Sequence, residues 1–446
     1  MVFGFPSNFI WGAATSAYQV EGAVNEGGRG VSTWDVFCDQ PGRILNGDSG
    51  EVACDHYHRW EQDIGLMKEL CLNSYRFSLA WPRIFPDGEG KPNPEAVTFY
   101  NRLIDSLLKA DIQPWITLFH WDLPWALQER YGGWRSRETA QIFADYALYC
   151  GSVFGDRVKN WFTINEIMCF THLAHREDRY APGGKLADQE VNQMVHNALL
   201  GHGLALKALK TTQAGLKVGL VENVNAVWPL YGDSEGIRAA QKAFSDLNQQ
   251  RLYPAMRGCY NEDVYERLSG PMPDILDGDM AIIGQKTDFI AYNYYHAVPI
   301  EPSDDAPGWK EVKMPEHYPR TDMAWPITPE GLYWVLIFSS AAFPDLPIYI
   351  TENGCAVRDN EERDGSVIDA DRLEFHRAHL RSCSRAIAEG APLAGYFAWS
   401  LLDNFEWSEG YSKRFGLIRV NHRNQKRTIK ASGRYYAKII RAGRVL

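Results

Sequence analysis

Residues 348–354 read Ile348-Tyr349-Ile350-Thr351-Glu352-Asn353-Gly354. A short run of strand length and largely apolar character passes straight into a carboxylate, an amide and a glycine, so the segment reads as a buried strand whose C-terminal end carries chemistry. The pattern recurs along the chain. Phe9–Ala14, Ser74–Ser78, Trp115–Phe119, Trp161–Ile164, Val218–Val221, Phe289–Asn293 and Gly395–Trp399 complete a set of eight with Ile348–Thr351. Helix-period segments separate them. Trp60, Ile64, Met67 and Cys71 mark one helical face, and Tyr100, Leu103, Leu107 and Leu108 another; further helices are expected at Glu138–Phe154, Gln193–Leu209, Glu235–Leu247, Gly331–Ala342 and Asp371–Ala388.

Strands alternating with helices predict an α/β fold with a parallel sheet. Eight alternations without a linker, repeat or low-complexity tract predict closure into a single (β/α)8 TIM barrel with long βα loops, spanning residues 1–446 as one catalytic domain. Length alone would suggest about three average domains, but an elaborated barrel fills the same chain. Asp39–Gly50, Tyr180–Lys185 and Pro302–Tyr318 read as long functional loops.

Composition narrows the partners. A formal net charge of -10 argues against a nucleic-acid footprint and favours a small ligand. Fifteen Trp, twenty-two Tyr and twenty Phe suit the apolar faces of sugar rings, although a large core uses the same residues as filler. The eight Cys are scattered, which predicts reduced thiols. Met1–Phe9 lacks a basic n-region and no apolar run approaches membrane-spanning length, so neither a leader nor a membrane partner is expected and the location reads as cytoplasmic. Composition leaves monomer and homo-oligomer equally open.

In such a barrel the catalytic side chains project from the C-terminal ends of the strands. Those positions are polar here: Gln19 and Glu21 after the first run, Arg76 in the second, His120, Trp121 and Asp122 after the third, Asn165 and Glu166 after the fourth. Asn293, Tyr294 and Tyr295 follow the sixth, Glu352 and Asn353 the seventh, and Trp399, Asp403, Asn404, Glu406 and Trp407 the eighth. Two carboxylates on nearly opposite strands, each beside an Asn, suit cleavage of a glycosidic bond: one protonates the leaving oxygen and the other attacks the anomeric carbon. A strand-end salt bridge is the structural alternative for either Glu. A retaining mechanism needs the carboxyls about 5 to 5.5 Å apart and an inverting one a wider gap.

The segments Gln19-Val20-Glu21-Gly22-Ala23, Tyr75-Arg76-Phe77-Ser78, His120-Trp121-Asp122-Leu123-Pro124, Asn165-Glu166, Asn293-Tyr294-Tyr295, Ile350-Thr351-Glu352-Asn353-Gly354 and Trp399–Trp407 together resemble the successive motifs of glycoside hydrolase family 1. The resemblance covers essentially the whole chain. It implies a retaining β-glycosidase, most simply a β-glucosidase, with no cofactor and no catalytic metal. Glu352 matches the nucleophile and Glu166 the acid/base. Arg76 and Tyr295 would donate to Glu352 and keep it ionised, whereas Glu166 must hold its proton in the free enzyme and needs a raised pKa. Gln19, His120, Asn165, Glu406 and Trp407 match the glycone pocket, with Trp399 as ring platform. Asn165 would donate to the 2-hydroxyl, Gln19 and Glu406 would grip the 4-hydroxyl, and His120 beside Trp121 would bind the 3-hydroxyl. Asn293 belongs to the same constellation, and Trp325 and Asn223 are candidates for the outer subsites, where packing and turn chemistry are the alternatives.

The chain departs from the family after Asn165-Glu166. Where the family usually has Pro and often Trp, it carries Ile167 and Met168, and His172–Arg179 is polar where aromatic and glycine residues are usual. Ile167 adds a backbone N–H that needs a partner, and Met168 puts a flexible thioether where a flat ring would stack on the aglycone. An unusual aglycone site is therefore expected, with altered product inhibition or transglycosylation. An anionic Glu406 argues against family members that cleave 6-phosphorylated sugars, while Lys413 and Arg414 nearby point the other way. A non-catalytic sugar-binding barrel would typically lack one Glu of the pair; another barrel glycosidase acting on polysaccharide is a further alternative. Asp55, His56 and His58 cluster with ligand-type side chains, but their spacing suits a helix start with Asp as N-cap better than a metal site.

Overall fold

A computed structural model describes residues 4–362 and 364–446; Met1–Phe3, part of the N-terminal stretch read above for a leader, and Arg363 lie outside the described residues. The eight predicted runs are the eight barrel strands: β1 Ile10–Ala14, β2 Ser74–Ser78, β3 Gln113–Phe119, β4 Asn160–Asn165, β5 Lys217–Asn223, β6 Ile290–Asn293, β7 Ile348–Asn353 and β8 Leu393–Trp399. Every neighbouring pair is parallel, and β8 pairs with β1 as β1 pairs with β2, so the sheet closes. Closure leaves no sheet edge to protect.

A long helix follows each strand: α1 His56–Glu69, α2 Pro94–Lys109, α3 Arg137–Phe154, α4 Asp188–Thr212, α5 Ser234–Leu247, α6 Pro329–Ala342, α7 Ala370–Ala388 and α8 Ala431–Ala442. Local signals set their starts. Asn93 and Pro94 open α2, Ser136 opens α3 by accepting from Glu138 N–H, and Asp233 opens α5 by accepting from Gly236 N–H. Asp55 does occupy the N-cap position of α1, but in a left-handed conformation, and its carboxylate binds His58 and Arg59 in place of the helix N–H groups. The loop expected at Pro302–Tyr318 contains a strand, Trp309–Glu311, which joins Val298–Pro302 and Val227–Pro229 in a small sheet beside the barrel mouth.

The barrel interior is plugged by large rings. Trp115 stacks on Phe162 at 5.6 Å and meets Phe397 edge-on at 5.5 Å, with Ala14, Val221, Phe289 and Ala291 filling the rest of that layer. The site sits on this floor, at the C-terminal ends of the strands. Both strands that lead to a candidate Glu are irregular there. The register of β4 with β5 shifts between Phe162 and Asn165, and that of β7 with β6 between Ile350 and Glu352. Such bulges bend a strand end and re-aim its side chains. All eight cysteines are free, and among the described residues no helix is long and apolar enough to cross a membrane.

Candidate active site

Glu166 and Glu352 line one cavity of about 630 Å³ at the barrel mouth, with His120, Trp121, Tyr295, Trp399, Glu406 and Trp407 around them. Glu166 leaves β4 with φ of 48°, and Trp121 and Trp407 also adopt left-handed backbones, at 79° and 51°. Non-glycine residues reach that region at a cost and persist where packing over-determines them, as it does at this rim. Gly354 is required by a neighbour: a Cβ there would collide with the carbonyl oxygen of Trp399, the residue beneath the pocket.

The two carboxyls have different surroundings. Arg76, from β2, donates from Nη1 to Glu352 Oε1 at 2.7 Å, and Tyr295 donates its hydroxyl to Glu352 Oε2 at 2.6 Å. Asn293 stands between the pair. Its Nδ2 donates to Glu166 Oε1 at 2.5 Å and to Asn165 Oδ1 at 3.0 Å, while its Oδ1 accepts from Thr351 at 2.8 Å. Arg76 Nη2 donates to Asn165 Oδ1 at 2.5 Å, so a single guanidinium ties β4 to β7 across the barrel.

Electrostatics separates the roles further. Burial, and then the charge of Glu352, pushes the Glu166 carboxyl up to about 7. Burial also raises Glu352, but Arg76, Tyr295 and Asn293 each oppose that shift by stabilising its charge. Glu406 is pushed up to about 8, by burial and then by Glu352 and Glu166. Of three carboxyls packed together, Glu352 has a guanidinium to offset its burial, whereas burial and neighbouring carboxylates favour the proton on Glu166 and Glu406. Tyr295 is raised well above a free phenol by burial and stays a donor. Burial and Arg76 hold His120 well below the usual imidazole range, hence neutral.

The sequence-predicted residues fall into two layers. His120, Trp121, Glu166, Met168, Asn223, Tyr295, Trp325, Glu352, Trp399, Glu406 and Trp407 face the cavity. Arg76, Asn165, Asn293 and Gln19 stand behind them, fully buried. Gln19 adjoins Glu406, yet its amide donates to Phe405 O at 2.8 Å and Asn404 Oδ1 at 3.3 Å. Asn165 Nδ2 lies 3.2 Å from His120 Nε2, and Trp121 Nε1 donates to Asn165 O at 2.7 Å. Trp407 packs on Trp121 at 4.5 Å and on Trp34 at 4.4 Å, which fixes the pocket wall.

Some motif residues belong to the scaffold. Glu21 pairs with Arg83 and accepts from Tyr100, and Asp403 accepts from Lys430. Arg414 pairs with Asp359 away from the cavity, whereas Lys413 lines the mouth with its ammonium on Asp322 O at 2.8 Å. His56 is paired with Asp63 at 2.8 Å, and among the described residues no group of His, Cys, Asp or Glu is arranged to hold a metal ion.

Several residues of the site were not anticipated. Cys169 Sγ lies 3.0 Å from Glu166 Oε2, and a buried Glu222–Arg251 pair at 2.9 Å stands behind the same turn. Tyr180, His296 and Met323 join Trp325 and Met168 on the outer wall. The doublet Val221-Glu222, a carboxylate ending a barrel strand, was the available signal for Glu222.

The closed parallel barrel and its pair of opposed carboxyls define a glycosidase-like site. Residues 2–444 match Glycosyl hydrolase family 1, and the chain belongs to that family. Beta-glucosidase A of Thermotoga maritima is 44% identical over 442 residues, covering 98% of each chain. A bifunctional beta-D-glucosidase/beta-D-fucosidase of Bifidobacterium breve is 41% identical, covering 99% of each. The solved structure of the Thermotoga maritima beta-glucosidase in complex with glucoimidazole superposes with a TM-score of 0.90 at 42% identity, covering 99% of this chain and 100% of that one.

Proposed function

We propose that this chain is a retaining β-glucosidase that releases terminal non-reducing β-D-glucosyl residues from oligosaccharides such as cellobiose and from aryl or alkyl glucosides, with galactosyl and fucosyl residues also accepted. The observation that carries this reading is the asymmetric pair in one cavity: Glu352 held by Arg76 and Tyr295, and Glu166 facing Asn293 and a thiol. In the first step the Glu352 carboxylate attacks C1 while Glu166 gives its proton to the leaving oxygen, so the C1–O bond breaks as an ester forms. Esterification removes the charge of Glu352 and lowers the pKa of Glu166, which then takes a proton from the water that attacks C1 and frees Glu352. A second sugar in place of water gives transglycosylation.

The glycone side follows from the same geometry. Glu406 lines the cavity and its buried Oε2 meets no donor among the described residues, which suits a sugar hydroxyl. We assign it, with Gln19, to the 4-hydroxyl, Asn165 to the 2-hydroxyl, His120 and Trp121 to the 3-hydroxyl, and Trp399 to the ring face. Burial pushes Glu406 toward its neutral form, so charge at 406 does not exclude a 6-phosphorylated sugar; the Lys413 ammonium already engaged by Asp322 O is what disfavours one. The whole chain acts as one catalytic domain on cytoplasmic substrates. Glu352→Ala tests the assignment. Turnover should be abolished, and azide should restore activity with formation of the α-glycosyl azide; wild-type turnover would refute it. Rates on 4-nitrophenyl glycosides and cellobiose, with the product anomer followed by NMR, test the sugar and the stereochemistry.

A further inference from the structure

Glu166 needs a partner suited to two protonation states, because on the reading above it is acid in one step and base in the next. Asn293 serves Oε1 as a donor. Oε2 faces Cys169, three residues on, with Sγ at 3.0 Å, and the Cys169 N–H donates to Glu166 O at 3.0 Å, so the turn is closed twice. Cys169 is buried at the cavity wall and begins the π-helical turn Cys169–Leu173, a deformation that recurs at functional sites.

We propose that Cys169 is a positioning residue for the acid/base: its thiol donates to the ionised Glu166 Oε2, accepts weakly when that oxygen is protonated, and so holds one carboxyl rotamer through both steps. This rests on Glu166 being the acid/base. A thiol is both a weak donor and a weak acceptor, whereas a Lys or Arg at 169 would hold Glu166 permanently ionised and disable the first step. Burial and Glu166 itself push the Cys169 thiol well up, so the donor proton is present across the working range.

The remaining groups around Glu166 set its base level. Glu352 from β7 and Glu222 from β5 push it up. Glu406 and Tyr180 face it from the rim. Arg251 faces the thiol from the segment after α5. Tyr295 follows β6, and Arg76 from β2 and His120 after β3 meet Asn165 next to it. None of these donates to Oε2 among the described contacts, which leaves that oxygen to Cys169.

The test compares Cys169→Ala, Cys169→Val and Cys169→Ser by pH profile. In C169A the alkaline limb of kcat/KM should move up by about half to one pH unit, because the ionised carboxyl loses a donor worth roughly that much. With a 2,4-dinitrophenyl glucoside, whose turnover is limited by hydrolysis of the glycosyl-enzyme, kcat should fall about 3- to 10-fold while kcat/KM at acid pH holds. C169V fills the space without a donor and should repeat both effects, which decides the matter if C169A does not fold. C169S should restore the limb. An unmoved limb in C169A and C169V would overturn the proposal. Glu166→Ala separates the two claims: its loss of activity on poor leaving groups, with rescue by azide, supports the acid/base reading whatever Cys169 does.

Discussion

Tyr295 and Arg76 approach Glu352 from opposite oxygens, the phenol at Oε2 and the guanidinium at Oε1, so each oxygen of its carboxyl group has its own donor. Such bonds to an ionised group are about twice as strong as neutral ones and fix direction as well as charge. Tyr295 is itself packed on Trp325 at 5.1 Å and against Phe415, so the outer wall helps fix the orientation of the Glu352 carboxyl.

Tyr295→Phe should therefore cost about 10- to 100-fold in kcat/KM, the equivalent of one hydrogen bond to a charged group. The phenol stabilises the ionised form of Glu352, so its loss should raise that pKa further and move the acid limb of the profile upward. A wild-type acid limb in Y295F would show that the bond does not act on the charge.

Glu166 makes a second pH prediction. The free enzyme should lose kcat/KM as pH rises through about 7, the value to which burial and Glu352 push the Glu166 carboxyl. Trapping Glu352 with a 2-deoxy-2-fluoroglucoside removes the second of those causes and leaves the first. Carbon NMR of labelled Glu166 in the trapped enzyme should report a pKa below that of the free enzyme yet above an ordinary glutamate. An unchanged titration would mean that the two carboxyls do not sense each other.

Most of this architecture was legible in the chain because barrel strands are short apolar runs and the candidate catalytic groups sit directly after them. Ile348–Asn353 shows how far that goes: periodicity marks the strand and the next residues mark the chemistry, but not the register shift that turns Glu352 inward. The left-handed backbone of Glu166 was equally hidden, since it arises from packing at the rim and no glycine signals it. Gln19, Asn165 and Asn293 read as sugar ligands; what the chain did not show is that each would be fully buried and already hydrogen-bonded to its neighbours beside the pocket. The outer wall was the least legible part, because Tyr180, His296 and Met323 arrive from loops distant in sequence and only closure of the barrel brings them together.

Ile167 illustrates how a departure in sequence is answered in space. The backbone N–H that Pro would have lacked favours the charge of Glu222, which Arg251 also holds at 2.9 Å against its burial. Removing one partner of a buried pair strands the other. Glu222→Ala should destabilise the fold by about 3–5 kcal/mol, whereas Glu222→Leu combined with Arg251→Met should recover much of that loss. Thermal melts of both variants check this, and a double variant no more stable than E222A would refute it.

Met168 tests the outer site. It is half-buried on the cavity wall two residues after Glu166, where a flexible thioether adapts to many shapes and stacks on none of them strongly. Met168→Trp should add a flat ring facing the aglycone. Aryl glucosides should then bind more tightly, by about 3- to 10-fold in KM, if the ring recovers a typical stacking contact of roughly a kcal/mol. The same ring should favour a second sugar face and so change inhibition by free glucose and the yield of transglycosylation. Rates on a series of aryl and alkyl glucosides, with glucose titrated into each assay, measure both effects together. Identical KM values across that series and an identical inhibition constant would show that position 168 does not set the aglycone preference.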